Sequence, residues 1–300
     1  MSAPAFPGAV PELFRGLFDD AAVFPPGNLP VAEAVPAHRA HREAWYAEAV
    51  GPLLCGAGRL DELTAAASDR AAGGPAGAGV LRVGLVLPGG SAELGPALDA
   101  TAPFEPAGVE LAGVELATRD AAEAVAELDR LLPPHVPAAV ELPRELLRDD
   151  ALDAALDVLV DSPYRAKFRT GGLVAEAFPD EDELAAFLTG CAQRGLPYKC
   201  TAGLHNAVRH TDRGTGFEHH GFLNVLLAAQ ETERAAAAAV LAERDGEVLA
   251  KAVRSLSDRQ VTVIRNSFTA FGTCSIAEPL ADLAALGLLP PPDRLPQEDR

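Results

Sequence analysis

The chain has 300 residues, with 25 Lys and Arg against 43 Asp and Glu, for a formal net charge of −18. Such a charge repels nucleic acid and anionic membrane surfaces, and leaves small molecules or proteins as partners. A 48% hydrophobic composition supports a sizeable core, and no run of about 18 apolar residues is available to span a bilayer. The N-terminus lacks a basic segment leading into an apolar one. Cys55, Cys191, Cys200 and Cys274 lack CxxC spacing, which fits reduced thiols and a cytoplasmic protein.

The predicted elements alternate. Residues 1–13 read as a loose leader with several prolines. A strand over Leu17–Phe24 ends at Pro25-Pro26-Gly27, and a helix over Val31–Val50 carries Trp45 and Tyr46, read as packing or interface residues of a possible homo-oligomer. Pro52–Ala57 is a strand and Asp61–Ala67 a helix, followed by a Gly/Ala loop over Ala71–Gly79. Strands follow at Val80–Leu87, Val109–Leu116 and Ala138–Leu142, with helices at Asp120–Leu132 and Asp149–Leu159. In the fourth strand Glu110 and Glu115 fall on opposite faces.

The stretch Arg165–Leu204 reads as strand, Gly-containing loop, helix and strand. Its helix, Glu181–Arg194, has Asp180 as N-cap, carboxylates in the first turn and Gly195 at its stop. Beyond it, His205–Gly216 is a polar loop, Phe217–Gln230 a helix bearing His219, His220 and Asn224, and more helix runs to about Ser255 and over Asp258–Arg265. Ser267–Ser275 is the last strand with its loop, Ile276–Leu286 the closing helix, and residues 289–300 a disordered tail. Eight strands near residues 19, 52, 80, 109, 138, 165, 197 and 267 give a single-domain α/β chain, a (β/α)8 barrel over residues 14–288. A doubly wound open sheet is the alternative, although no G-x-G-x-x-G follows the first strand.

Lys167 and Lys199 occupy matching places in the sixth and seventh strands. Arg169 shares a face with Lys167, and Thr201 with Lys199. Charged side chains are seldom buried without partners, so this pattern marks either a chemical site or strand-end lysines snorkelling to solvent. Arg169, Thr170, Gly171 and Gly172 offer a cation and free N–H groups to an anionic substrate. Thr201 and Gly203 flank the same position, and Arg209 and Arg213 are placed to close over a carboxylate or phosphate. Four of the seven histidines, His205, His210, His219 and His220, fall within 16 residues. With His220 one helical turn from Asn224, they form a candidate metal or substrate segment, although no H-E-x-x-H pattern is present.

The Lys-Phe-Arg-Thr-Gly-Gly and Lys-Cys-Thr-Ala-Gly-Leu runs resemble the sixth- and seventh-strand lysine motifs of deoxyribose-phosphate aldolase and related class I aldolases. Phe271-Gly272-Thr273-Cys274-Ser275 is similar to that family's last-strand loop, and Asp19-Asp20-Ala21 to its first-strand Asp. The matches cover about 25 residues, and Leu204-His205 departs from the family's second Gly and Arg. The TAGLH and HHGFLNV runs also resemble those of a set of uncharacterised bacterial proteins. The aldolase resemblance implies a lyase in which Lys167 forms a Schiff base with a small anionic carbonyl substrate. Lys199 then acts as the neighbouring charge that lowers the amine's pKa, and Asp20, Glu115 or His205 is the acid/base group. No cofactor is called for. A metal enzyme using His205–His220 and a non-catalytic binding barrel are the alternatives.

Overall fold

The computed structural model describes residues 10–69, 79–147 and 151–291. The Gly/Ala loop, the residues at Asp149 and most of the leader and tail lie wholly or partly outside them. The eight long-range strands close into one parallel barrel rather than an open sheet. They are β1 (Phe18–Asp20), β2 (Val50–Gly56), β3 (Leu81–Leu87), β4 (Val109–Ala117), β5 (Ala138–Leu142), β6 (Arg165–Arg169), β7 (Tyr198–Thr201) and, last in the chain, β10 (Phe268–Thr273). β10 pairs with both β7 and β1, which closes the ring. The two-residue strands β8 (His210–Thr211) and β9 (Glu218–His219) form a separate antiparallel hairpin. No helix among the described residues is long and apolar enough to cross a membrane.

Strand alternation sorts the barrel into two environments. Outward residues such as Leu53, Val83, Leu85, Val114, Val140, Phe168, Tyr198 and Phe271 are buried under the helices. Phe168 stacks on Phe187 of the helix Glu181–Arg194 at 4.6 Å, and Phe222 packs against both Phe18 and Phe271. That helix begins with the expected capping box, the Asp180 carboxylate accepting from Glu183 N–H at 2.8 Å, and ends at Gly195 with φ +62°. Inward positions of β1, β4, β5, β6 and β7 carry charge, at Asp19, Glu115, Glu141, Lys167 and Lys199, where such barrels usually hold bulky branched residues.

Several boundaries differ from expectation. Only Phe18–Asp20 pairs as a strand, because Phe24 N–H turns back to Ala21 O. The first helix stops at Glu43, where Arg42 donates instead to Ala47 O and Val50 O. Val10 and Leu13, at the end of the expected leader, are buried in the core together with Phe14, as is Leu289 at the start of the expected tail. Residues 217–221 are extended rather than helical, and the helix starts at Phe222. Gly221 lies so close to Ala207 O that an added Cβ would stand 2.4 Å from it, which fixes an extended entry into that helix.

The loops after β6 and β7 touch through glycine. A Cβ on Gly171 would lie 2.6 Å from the Phe178 ring and 2.9 Å from Gly203 Cα, and Gly203 itself has φ +77°. Gly171→Ala is therefore expected to destabilise the fold by about 1–3 kcal/mol through overpacking, measured as a lower urea midpoint.

Candidate active site

A chain of ion pairs crosses the barrel interior from β1 to β6. Lys167 and Lys199 are Cα partners across β6 and β7, and both side chains are buried, at 2% and 5% exposure. They do not snorkel to solvent. Glu115 of β4 sits between them, with Oε2 2.6 Å from Lys167 Nζ and Oε1 accepting from Lys199 Nζ. Lys199 also donates to Asp19 of β1 at 2.5 Å, and Lys167 Nζ lies 2.7 Å from Glu141 of β5. Glu141 in turn accepts from Arg169 at 3.2 Å. Three carboxylates and three cations thus alternate in one connected cluster.

Electrostatics differ from the expectation of an amine depressed by a bare neighbouring ammonium. Burial works against Glu115 ionising, but Lys167 and Lys199 outweigh it and hold the carboxyl down to about 2. Burial also disfavours the Lys199 ammonium, yet Asp19 and Glu115 overcome it and push that group above the usual lysine range. Glu141 is likewise lowered, Lys167 and Arg169 overriding its burial. The surroundings of Lys199 therefore favour its charged form. The charge of each lysine is balanced locally, which is what permits both to be buried.

Of the expected site residues, the cluster gathers Lys167, Lys199, Glu115 and Arg169. It does not include Asp20. That carboxylate points the other way, to His38 Nδ1 at 2.9 Å and Ala22 N–H at 3.1 Å, because adjacent strand residues face opposite sides. Asp19 takes the inward place. Asp19 and Glu141 were not among the candidates. A lone Glu amid the apolar residues of β5, one pleat from Ala139, was the signal for the second.

The loops over the carboxyl ends of β6 and β7 hold the other candidates. Thr170 donates to Ala202 O, binding the two loops together, and an added Cβ on Gly172 would stand 2.7 Å from Ala177 Cβ. Thr201 partners Gly272 in register. His205 lies at this end too, with Nδ1 3.0 Å from Glu278 Oε2 and 3.6 Å from Cys274 Sγ. Arg213 is exposed in the hairpin turn.

Arg209, His220 and Asn224 serve the loop itself. Arg209 is buried, with Nη2 2.9 Å from Glu181 and 3.3 Å from Glu218. Asn224 accepts from Arg209 N–H at 3.0 Å and donates to Val240 O and Glu243 O at 2.8 Å. His220 reaches Pro179 O through Nε2 at 2.8 Å and faces Arg209 Nη1 through Nδ1 at 3.2 Å. None of the three hydrogen-bonds or pairs with the lysine cluster among the described residues. Nor do any three His, Cys, Asp or Glu among those residues group as metal ligands.

Burial, aided by Arg209, holds His220 down to about 4 against the Pro179 carbonyl. A folded-state value below the ordinary 6.5 means that the unfolded chain takes up the proton first. His220 therefore costs stability as pH falls from 6.5 to 4. Thermal melts at pH 7 and pH 4.5 are expected to show a larger acid drop for wild type than for His220→Gln.

A cavity of about 200 Å³ lies between the amino ends of the strands and reaches the other side of the cluster at Asp19, Glu115 and Lys199, with Arg82 and Arg165 along its wall. Gly84, which has no side chain, and the small Ala139 and Ala270 line it as well and leave the space open.

No protein-family model matches the chain, and no curated protein matches it. The fold and the interior define a single-domain (β/α)8 barrel with a buried, charge-balanced lysine pair.

Proposed function

We propose that the protein is a lyase of the aldolase type, acting on a small anionic carbonyl compound through an imine on Lys167. The observation that carries this reading is the division of labour between the lysines. Lys199 lies between Asp19 and Glu115, both almost fully buried, which favour its ammonium form, so in this reading it supplies charge. Lys167 shares Glu141 with Arg169, whose side chain is 52% exposed, so its proton has a route outward through a carboxylate. The neutral amine then attacks the carbonyl, and the protonated imine acts as the electron sink for making or breaking a carbon–carbon bond. Glu115, between the two nitrogens, is placed to move a proton once the Lys167 ammonium is consumed. Arg169 meets the substrate's anionic group. Arg169 ends β6, and a (β/α)8 barrel customarily carries its chemistry at the carboxyl ends of its strands.

The test is reductive trapping. Purified protein is incubated with glyoxylate or pyruvate and reduced with borohydride, and the intact mass is measured. One adduct per chain is expected. An unchanged mass contradicts the reading.

A further inference from the structure

We propose that Cys274, His205 and Glu278 form a second nucleophilic site at the carboxyl-terminal mouth of the barrel, where the Cys274 sulfur adds reversibly to a small aldehyde. Cys274 directly follows β10 and His205 follows β7, and these strands are neighbours in the barrel. The imidazole lies within reach of the sulfur along one edge, Nδ1 at 3.6 Å and Nε2 at 4.0 Å from Sγ. Glu278, in the first turn of the helix Ala277–Ala285, fixes the ring through Nδ1 at 3.0 Å, and Thr273 Oγ1 stands 3.5 Å from the same nitrogen.

The other three cysteines make a contrast. Cys55, Cys191 and Cys200 are fully buried while Cys274 is only half-buried. Burial pushes the Cys55 thiol up to about 11 and raises the other two as well. His205 is the opposite case. Burial disfavours its charged form, but the Cys274 sulfur and the Glu278 carboxylate outweigh that and lift it to about 10. An imidazole that lies 3.6 Å from a half-buried sulfur and is itself oriented by a carboxylate is the geometry that activates a cysteine nucleophile.

The step balances without an oxidant. The thiolate forms an S–C bond with the carbonyl carbon, the C=O π pair moves to oxygen, and the His205 proton passes to that oxygen. The product is a hemithioacetal, and the reverse step releases the aldehyde. The aldehyde class rests on the reading of the lysines given above; the reactivity of the thiol does not.

The full chain is treated at pH 7 with limiting iodoacetamide, and each cysteine is followed by peptide mass spectrometry. Cys274 is expected to alkylate about tenfold faster than glutathione, with Cys55, Cys191 and Cys200 unmodified on that timescale. His205→Asn and Glu278→Gln are expected to slow it by about tenfold and several-fold while leaving the circular dichroism unchanged. Glyoxylate should protect Cys274 saturably, both in wild type and in Lys167→Met. A Cys274 no faster than glutathione, or equally fast in both variants, overturns the proposal. Protection lost in Lys167→Met assigns the aldehyde to the lysine and overturns the hemithioacetal. Protection kept, with no adduct trapped on Lys167, sinks the lysine reading alone.

Discussion

Glu115→Ala is expected to lower the folding stability by about 3–5 kcal/mol, the cost of breaking a buried ion pair from one side. The carboxylate is buried, and each of its oxygens faces a different ammonium. Its loss leaves Lys167 with Glu141 alone and Lys199 with Asp19 alone, and opens a space between two like charges. Lys167→Met breaks the same network from the other side: Glu115 keeps only Lys199 and Glu141 only Arg169, and a loss of the same order, about 3–5 kcal/mol, is expected. Urea denaturation of both variants against wild type measures these losses. Midpoints equal to wild type would mean that the bridge between the lysines contributes nothing to the fold.

Lys167→Met should also abolish imine trapping, a loss of more than about a hundredfold, since the nucleophile itself is gone. Lys199→Met keeps the nucleophile but removes the cation from Asp19 and from one oxygen of Glu115. It should retain a trapped adduct at reduced rate, in a less stable protein. The opposite pattern, an adduct in Lys167→Met and none in Lys199→Met, would exchange the two roles.

The lysine pair was legible in the sequence because a cation at the same place in two short strands contradicts the apolar pattern of a strand. Strand parity then placed Arg169 with Lys167, and the structure agrees. Parity failed at Asp19-Asp20. β1 is only three residues long and its register against β2 shifts between Phe18 and Asp20, so nothing local says which carboxylate faces inward. Glu141 was overlooked because a five-residue strand with one Glu reads as an ordinary edge. The sign of the charge coupling was hidden as well. Two facing lysines predict mutual repulsion, and only the closed barrel brings Glu115 across from β4 to separate them.

The contact of His205 with Cys274 has the same origin. Sixty-nine residues part them, and they meet because β10 fits between β7 and β1. The hairpin at 210–219 escaped because its residues have no apolar period, and its turn is held by the Asp212 carboxylate accepting from Gly214 N–H and Thr215 N–H.

The most direct test of the central claim is to map the borohydride-reduced glyoxylate adduct to a residue by peptide mass spectrometry. The account predicts the added mass on Lys167 and an unmodified Lys199. An adduct on Lys199, or none on either lysine, would contradict it.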